Sequence, residues 1–263
     1  SLLILAKELA KNKKGNLTPV QVEDAKVIFD GGNSFLTLIN DIMDLSKVEA
    51  GKLTIHCEPV MLPHLTSNLE KMFNPIAQER NLDFIIDIEK GLPTTFNSDN
   101  LRVEQILRNL LSNAMKFTAQ GQVRLYIHHA DADTQFLHSD LTADDCVAFS
   151  VIDTGIGIPK DKQSAIFEAF QQEDGTTSRK YGGTGLGLTI ARELSRLLNG
   201  EIHLKSEHGN GSTFTLYLPA SATAHPVESS TSGSRLMVTD EKEKGSFTDD
   251  RHIIGPEDAC LLI

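Results

Sequence analysis

The apolar positions of the first 50 residues repeat at helical spacing. Ser1 to Lys11 opens inside such a pattern, with Leu2, Leu5 and Leu9 on one face and no capping residue ahead of them. Residues 11–17, KNKKGNL, form a polar turn. Thr18, Pro19 and Gln21 then read as a capping box with Pro at the first helical position. The second helix is expected to run toward Val48, with Val22, Phe29, Leu36, Ile39 and Met43 near one stripe. That stripe suits a helical hairpin or a coiled-coil-like bundle of two copies. Gly31-Gly32 interrupts it at about 1 kcal/mol per glycine, which marks a bend or a close helix contact.

From Leu53 the pattern changes. Leu53 to Val60 alternates like a strand, Leu62 to Arg80 is helical, and Leu82 to Ile88 alternates again. Asp99 is placed to cap a helix over Asn100 to Phe117. Strands are expected at Gln122–His128 and Val147–Ile152, then a helix over Leu186–Leu198 closed by Asn199-Gly200. Glu201–Ser206 and Ser212–Leu218 read as two strands of a hairpin with a Gly-rich turn. The fold class that follows is α+β: an N-terminal helical hairpin, then an α/β sandwich with helices on one face of a mixed, largely antiparallel sheet. Residues 221–255 are polar without an apolar period and read as a flexible linker. The uncapped first helix and the short apolar run at 259–263 lead us to expect a fragment that lacks sequence at both ends.

Composition narrows the function classes. The 263 residues carry 25 Lys and Arg against 36 Asp and Glu, a net charge of −11, which disfavours a nucleic-acid binder. An acidic chain that holds an anion must build a local positive site from backbone amides, a few cations or a metal. No apolar run is long enough to span a membrane, and from the pattern at residues 1–11 we expect no signal peptide. Three separated cysteines exclude a disulfide framework and suit a reducing compartment.

Three stretches carry candidate chemistry. On the helix after Asp99, which also carries Arg102 and Gln105, Asn109, Asn113 and Lys116 share one face, while Leu107, Leu110, Leu111 and Ala114 fill the other. Two carboxamides and an ammonium suit a divalent metal and phosphate oxygens; a solvated polar face is the plain alternative. In residues 151–159, VIDTGIGIP, an apolar strand ends in Asp153 ahead of Gly155 and Gly157. A carboxylate there can accept a hydrogen bond from an exocyclic amine, and glycines let backbone approach a flat ring or phosphate; an ordinary turn is the alternative. In residues 182–188, GGTGLGL, glycines lead into a helix whose first amides make an anion site. Leu188 after Gly187 excludes a P-loop, and the polar stretch before Gly182 excludes a dinucleotide fingerprint. That polar stretch reads as a lid, with Arg179 and Lys180 in reach of phosphates.

The order and spacing of LRVEQILRNLLSNAMKFT, VIDTGIGIP, IFEAFQQ, GGTGLGLTIAREL and GNGSTFTLYLP resemble the catalytic, ATP-binding domain of sensor histidine kinases, in the GHKL (Bergerat-fold) superfamily. The likeness covers about Leu53 to Ala220. Residues 1–50 resemble the end of the family's dimerisation and phosphotransfer hairpin, without the segment that holds the phosphoacceptor His. PEDACLLI, 256–263, resembles the first strand of a receiver domain. The resemblance implies the kinase core of a hybrid histidine kinase, divided into 1–50, 53–220, a linker at 221–255 and a receiver start at 256–263. Its substrate is ATP and its metal Mg²⁺. Its partners are a second copy of the chain and a receiver domain or response regulator. Its location is the cytoplasmic side, with any membrane anchor of the parent outside this sequence.

Residue by residue, the resemblance makes Asn113 the Mg²⁺ ligand and puts Asn109 near the phosphates. Lys116 contacts phosphate and Phe117 lines the pocket. Asp153 bonds the adenine amino group, with Gly155 and Gly157 beside the ring. Phe167 and Phe170 anchor the lid, and Arg179 contacts the γ-phosphate. Gly183, Thr184, Gly185, Leu186 and Gly187 close over the triphosphate, and Thr213 lies on the adenine side. Superfamily members that hydrolyse ATP carry Glu at the Asn109 position, so an Asn there implies transfer to His over transfer to water. A GHKL ATPase of the gyrase, Hsp90 or mismatch-repair type, and a non-catalytic dimerisation module, are the competing readings.

Overall fold

The computed structural model describes residues 2–137, 141–168 and 185–220. They lie in one compact unit, Ser1–Ala224; the linker and receiver-like segments expected after residue 220 fall outside the described residues.

Helix α1 (Leu2–Lys11) and helix α2 (Pro19–Glu49) form the hairpin. The Thr18 hydroxyl accepts from Gln21 N–H and the Gln21 side chain accepts from Thr18 N–H, so the capping box is present. Gly32 is a close helix contact: a Cβ there would overlap the Leu3 side chain. The apolar stripe is only partly used. Ala6 and Ala25 are buried, whereas Leu5, Ile28, Phe35, Leu36, Ile39 and Met43 remain exposed on a single chain.

Strand β1 (Glu58–Met61), helix α3 (Leu62–Arg80), strand β2 (Asp83–Ile88) and strand β3 (Thr95–Ser98) follow. Leu53 to Val60 is therefore not one strand. Leu53 and Ile55 pack against the core as irregular chain, and only β1 pairs, antiparallel to β3, which the apolar pattern did not announce. A four-residue strand carries two side chains per face, too few to show a period.

Helix α4 (Asn100–Phe117), strands β4 (Gln122–His129) and β5 (Cys146–Asp153), helix α5 (Gly187–Leu197) and strands β6 (Glu201–Glu207) and β7 (Gly211–Pro219) complete the unit. The large sheet has order β2-β4-β5-β7-β6; β2 runs parallel to β4 and every other pair is antiparallel. Asn199, at φ 56°, ends α5 in the left-handed conformation and turns the chain through Gly200 into β6.

One face of this sheet takes the helices. Val123, Leu125 and Ile127 of β4, Phe149 and Val151 of β5 and Leu216 of β7 are buried in one cluster with Leu65 and Leu69 of α3, Leu107, Leu110 and Leu111 of α4 and Leu194 of α5. This is the expected sandwich. Its consequence is that α4 and the end of β5 are two walls of a single rigid core.

Candidate functional site

Helix α4 sets the first wall. The Asp99 carboxylate accepts from Arg102 N–H at 3.1 Å, which starts the helix, and from His56 N–H at 3.0 Å, which holds the connector from the hairpin. Leu107, Leu110, Leu111 and Ala114 are buried, so the periodicity of an α-helix leaves Asn109, Asn113 and Lys116 on the side away from the core. Asn109 Nδ2 donates to the Gly187 carbonyl at 3.1 Å and ties α4 to the first turn of α5. Asn113 and Lys116 are half-buried, and among the described residues neither side chain has a hydrogen-bond or ion-pair partner. The Lys116 ammonium lies 4.8 Å from the Phe117 ring centroid, and burial lowers its pKa from the ordinary lysine value. At the far end the Arg80 guanidinium donates to the Met115 carbonyl at 3.0 Å and satisfies the helix C-terminus.

The end of β5 and the loop after it set the second wall. Asp153 is buried, and its Oδ1 accepts from Gly155 N–H at 2.8 Å. Burial pushes its carboxyl upward; hydrogen bonds from the Gly155 and Ser212 amides oppose that shift. The loop closes onto α4, because Ile156 N–H reaches the Phe117 carbonyl at 3.4 Å. The same closeness requires glycine: a Cβ on Gly155 would meet that carbonyl oxygen, and one on Gly157 would overlap the Glu207 carbonyl oxygen. The tip of the β6–β7 hairpin is laced to this loop. Gly209 N–H donates to the Ile156 carbonyl at 2.7 Å, and Ile158 N–H donates to Ser206 Oγ at 2.8 Å.

The glycine-rich stretch contributes its last four members, 185–188, to the described residues. Gly185 has φ +71°, Leu186 is buried, and Gly187 opens α5, where an added Cβ would lie 3.7 Å from the Asn109 side chain. Phe167 lies half-buried against Phe214 at 6.2 Å, and its carbonyl accepts from the Thr189 hydroxyl at 3.0 Å. Phe170, Arg179, Gly183 and Thr184, expected in the lid and over the phosphates, lie outside the described residues.

Thr213 is the expectation that the register corrects. It pairs with Ile152, whereas Asp153 pairs with Ser212. Side chains alternate across a strand, so Thr213 shares the outer face with Thr215, which bonds Ser150, while Asp153 and Ser212 lie on the helix side. Ser212 is thus the residue across from Asp153. Sequence reasoning also passed over Ser206 and Gln163. Gln163 Nε2 donates to the carbonyls of Ile158 and Ser206, both at 2.9 Å, and so fastens the glycine loop to β6. No local pattern marks a glutamine whose partners lie 5 and 43 residues away.

The donor set suits Mg²⁺. A hard cation of this size takes one or two protein oxygens and completes its shell with phosphates and water. Asn113 offers one such oxygen, half-buried and without a protein partner among the described residues. Among the described residues no group of three or more His, Cys, Asp or Glu is poised around a metal.

Residues 98–222 match the family model of the histidine kinase-, DNA gyrase B-, and HSP90-like ATPases. They form an ATPase domain of that family. The match begins at the Asp99 cap and spans α4, the β5 loop and the closing hairpin. Over 214 residues the chain is 36% identical to the autoinducer 2 sensor kinase/phosphatase LuxQ of Vibrio cholerae, covering 81% of this chain and 24% of that protein. It is 38% identical over 237 residues to the circadian input-output histidine kinase CikA of Synechococcus elongatus, covering 87% and 30%. It is 38% identical over 207 residues to the hybrid signal transduction histidine kinase B of Dictyostelium discoideum, covering 79% and 10%. The chain spans less than a third of each of these relatives. Full-length ShkA in complex with AMPPNP superposes with a TM-score of 0.65 at 31% identity, over 83% of this chain and 42% of that one. The Acinetobacter baumannii histidine kinase AdeS shares the fold, with a TM-score of 0.58 at 18% identity over 84% and 95%. No helix among the described residues is long and apolar enough to cross a membrane.

Proposed function

We propose that this chain is the ATP-binding kinase core of a hybrid histidine kinase. It transfers the γ-phosphate of ATP to a His on a dimerisation helix, for relay to a receiver Asp. The carrying observation is convergence: Ile156 of the Asp153 loop is hydrogen-bonded to Phe117 at the end of the helix that presents Asn113 and Lys116. A base held at Asp153 would direct its phosphates along α4. Asp153 accepts from the adenine amine, Lys116 supplies a positive charge, and the Gly185–Gly187 turn supplies backbone amides. Mg²⁺ held by Asn113 neutralises phosphate charge when bound. Asn109 is a carboxamide whose N–H₂ is committed to Gly187, so it has no basic atom to activate water. That favours transfer to an imidazole over hydrolysis.

The domain division follows this reading: a hairpin at 1–50, the ATP domain at 53–220, a linker at 221–255 and a receiver start at 256–263. Leu36, Ile39 and Met43, exposed on α2, together with Leu5 on α1, form the surface that a second copy covers. The kinase works on the cytoplasmic side and hands its phosphoryl group to a receiver domain or response regulator.

Transfer is tested by adding a histidine-bearing dimerisation helix in trans with Mg²⁺ and γ-labelled ATP. The expected product is an acid-labile, alkali-stable label on that His, and none on this chain. Release of labelled phosphate without labelled His would instead establish an ATPase. The metal role is tested separately. Asn113→Ala is expected to weaken nucleotide binding on the order of 10–100-fold with Mg²⁺ present and far less in EDTA. An equal loss in both titrations would remove Asn113 from the metal.

A further inference from the structure

The face of α4 that carries Asn109 and Asn113 continues toward the helix N-terminus as Gln105 and Arg102. These two side chains turn to the hairpin, not to the nucleotide site. Asp44 Oδ2 of α2 accepts from Arg102 Nη1 at 3.1 Å and from Gln105 Nε2 at 2.9 Å. Arg102 Nη1 also donates to Gln105 Oε1 at 2.8 Å, which closes the three groups into a ring. The side chains of Arg102 and Asp44 are 16% and 19% exposed. One turn earlier on α2, Asp41 is buried; burial and the neighbouring Asp44 push its carboxyl up, and the charge of Arg108 opposes that shift. Asp44 of α2 therefore meets Arg102 and Gln105 of α4 directly.

We infer that this seam is a releasable polar latch, with Asp44 as its pin, that fixes the orientation of the ATPase domain against the hairpin. The reason lies in what opening exposes. An apolar contact resists separation because both surfaces return to water at a cost. Ionic and amide groups lose each other on separation but regain hydration, so the net change is small. Deleting one partner has the opposite effect, because the others stay behind half-buried and unpaired. The apolar part of the joint is modest: Leu38, Leu45 and Val48 of α2 are only partly buried against the domain core. The latch also sits on the same rigid helix as Asn113, about 16 Å along it at 1.5 Å per residue. Reorienting α4 against α2 moves the candidate phosphate site as a body. The link to catalysis rests on the transfer reading above; the latch itself does not.

The test uses the full 263-residue chain with spin labels at Asp24→Cys on the hairpin and Lys205→Cys on β6. Cys57 and Cys260 are replaced by Ser, and labelled protein is diluted tenfold with unlabelled chain so that distances within one chain are read. The expected result is a narrow distance distribution that broadens at least twofold in Asp44→Ala, with ADP affinity changed less than threefold. The exchanged pair Asp44→Arg with Arg102→Asp is expected to restore the narrow distribution. An unchanged distribution in Asp44→Ala overturns the latch. So does a parallel tenfold loss of ADP affinity, which would make the seam part of the domain's own fold. Failure of wild-type chain to bind ADP would instead remove the transfer reading and leave the distances to decide the latch.

Discussion

Replacing Asp153 with Ala is expected to lower Mg-ATP and ADP affinity on the order of a hundredfold while the chain stays folded. A hydrogen bond to a buried charged acceptor is worth about 1.5–3 kcal/mol, and each 1.4 kcal/mol is tenfold in affinity. The variant also strands the Gly155 and Ser212 amides that now point at the carboxylate. Calorimetric titration of both nucleotides checks it; retained affinity would mean that the pocket does not read the base through Asp153. Stability moves the other way. Burial raises the Asp153 carboxyl above the ordinary value of 3.8. A carboxyl raised on folding binds its proton more tightly in the folded state, so ionisation costs stability. That cost grows as pH rises from about 3.8 to the raised value and is constant above it. Asp153→Asn therefore should melt at or above the wild-type temperature at pH 7, and the difference should vanish on acidification. A drop of several degrees at pH 7 would show that the amide hydrogen bonds outweigh the cost of burying the charge.

Gly157→Ala should be the most damaging single-methyl change in the site loop. The residue has φ +64°, where a Cβ costs about 1–2 kcal/mol. The added Cβ would also overlap the Glu207 carbonyl oxygen, so either the loop or the β6–β7 hairpin must move. Together these effects are expected to cost about 3 kcal/mol, which for a domain of this size lowers Tm by roughly 6–12 °C. Gly209 is the control. It has φ +88°, yet nothing lies within 4 Å of a Cβ there. Alanine at Gly209 should show the backbone cost alone, near 1 kcal/mol. Calorimetric melting of the two variants separates the effects, and equal losses would sink the overlap.

The sequence was most legible where structure is made locally. Thr18, Pro19 and Gln21 announce the start of α2, and Asp99 announces the start of α4, because a cap is a contact over three residues. The polar face of α4 was legible for the same reason: helical periodicity alone separates Asn109, Asn113 and Lys116 from Leu107, Leu110 and Leu111. The order of the glycine stretches carried the family resemblance, and the matched family spans them. What was missed depended on partners far along the chain. Thr213 and Ser212 are adjacent in sequence, and only the pairing of β7 with β5 decides which one shares a face with Asp153.

By itself, then, the sequence determined the helices, the long strands, their caps and the chemical character of each face. Those follow from backbone propensity and from side-chain period, both short-range properties. The tertiary structure alone decided that β1 pairs with β3 and that β2 runs parallel beside β4. It alone decided that Gln163 binds the glycine loop and that Asp44 meets Arg102 across 58 residues. Such contacts are selected by the packing of the whole core, which brings together groups whose sequence neighbours say nothing of each other.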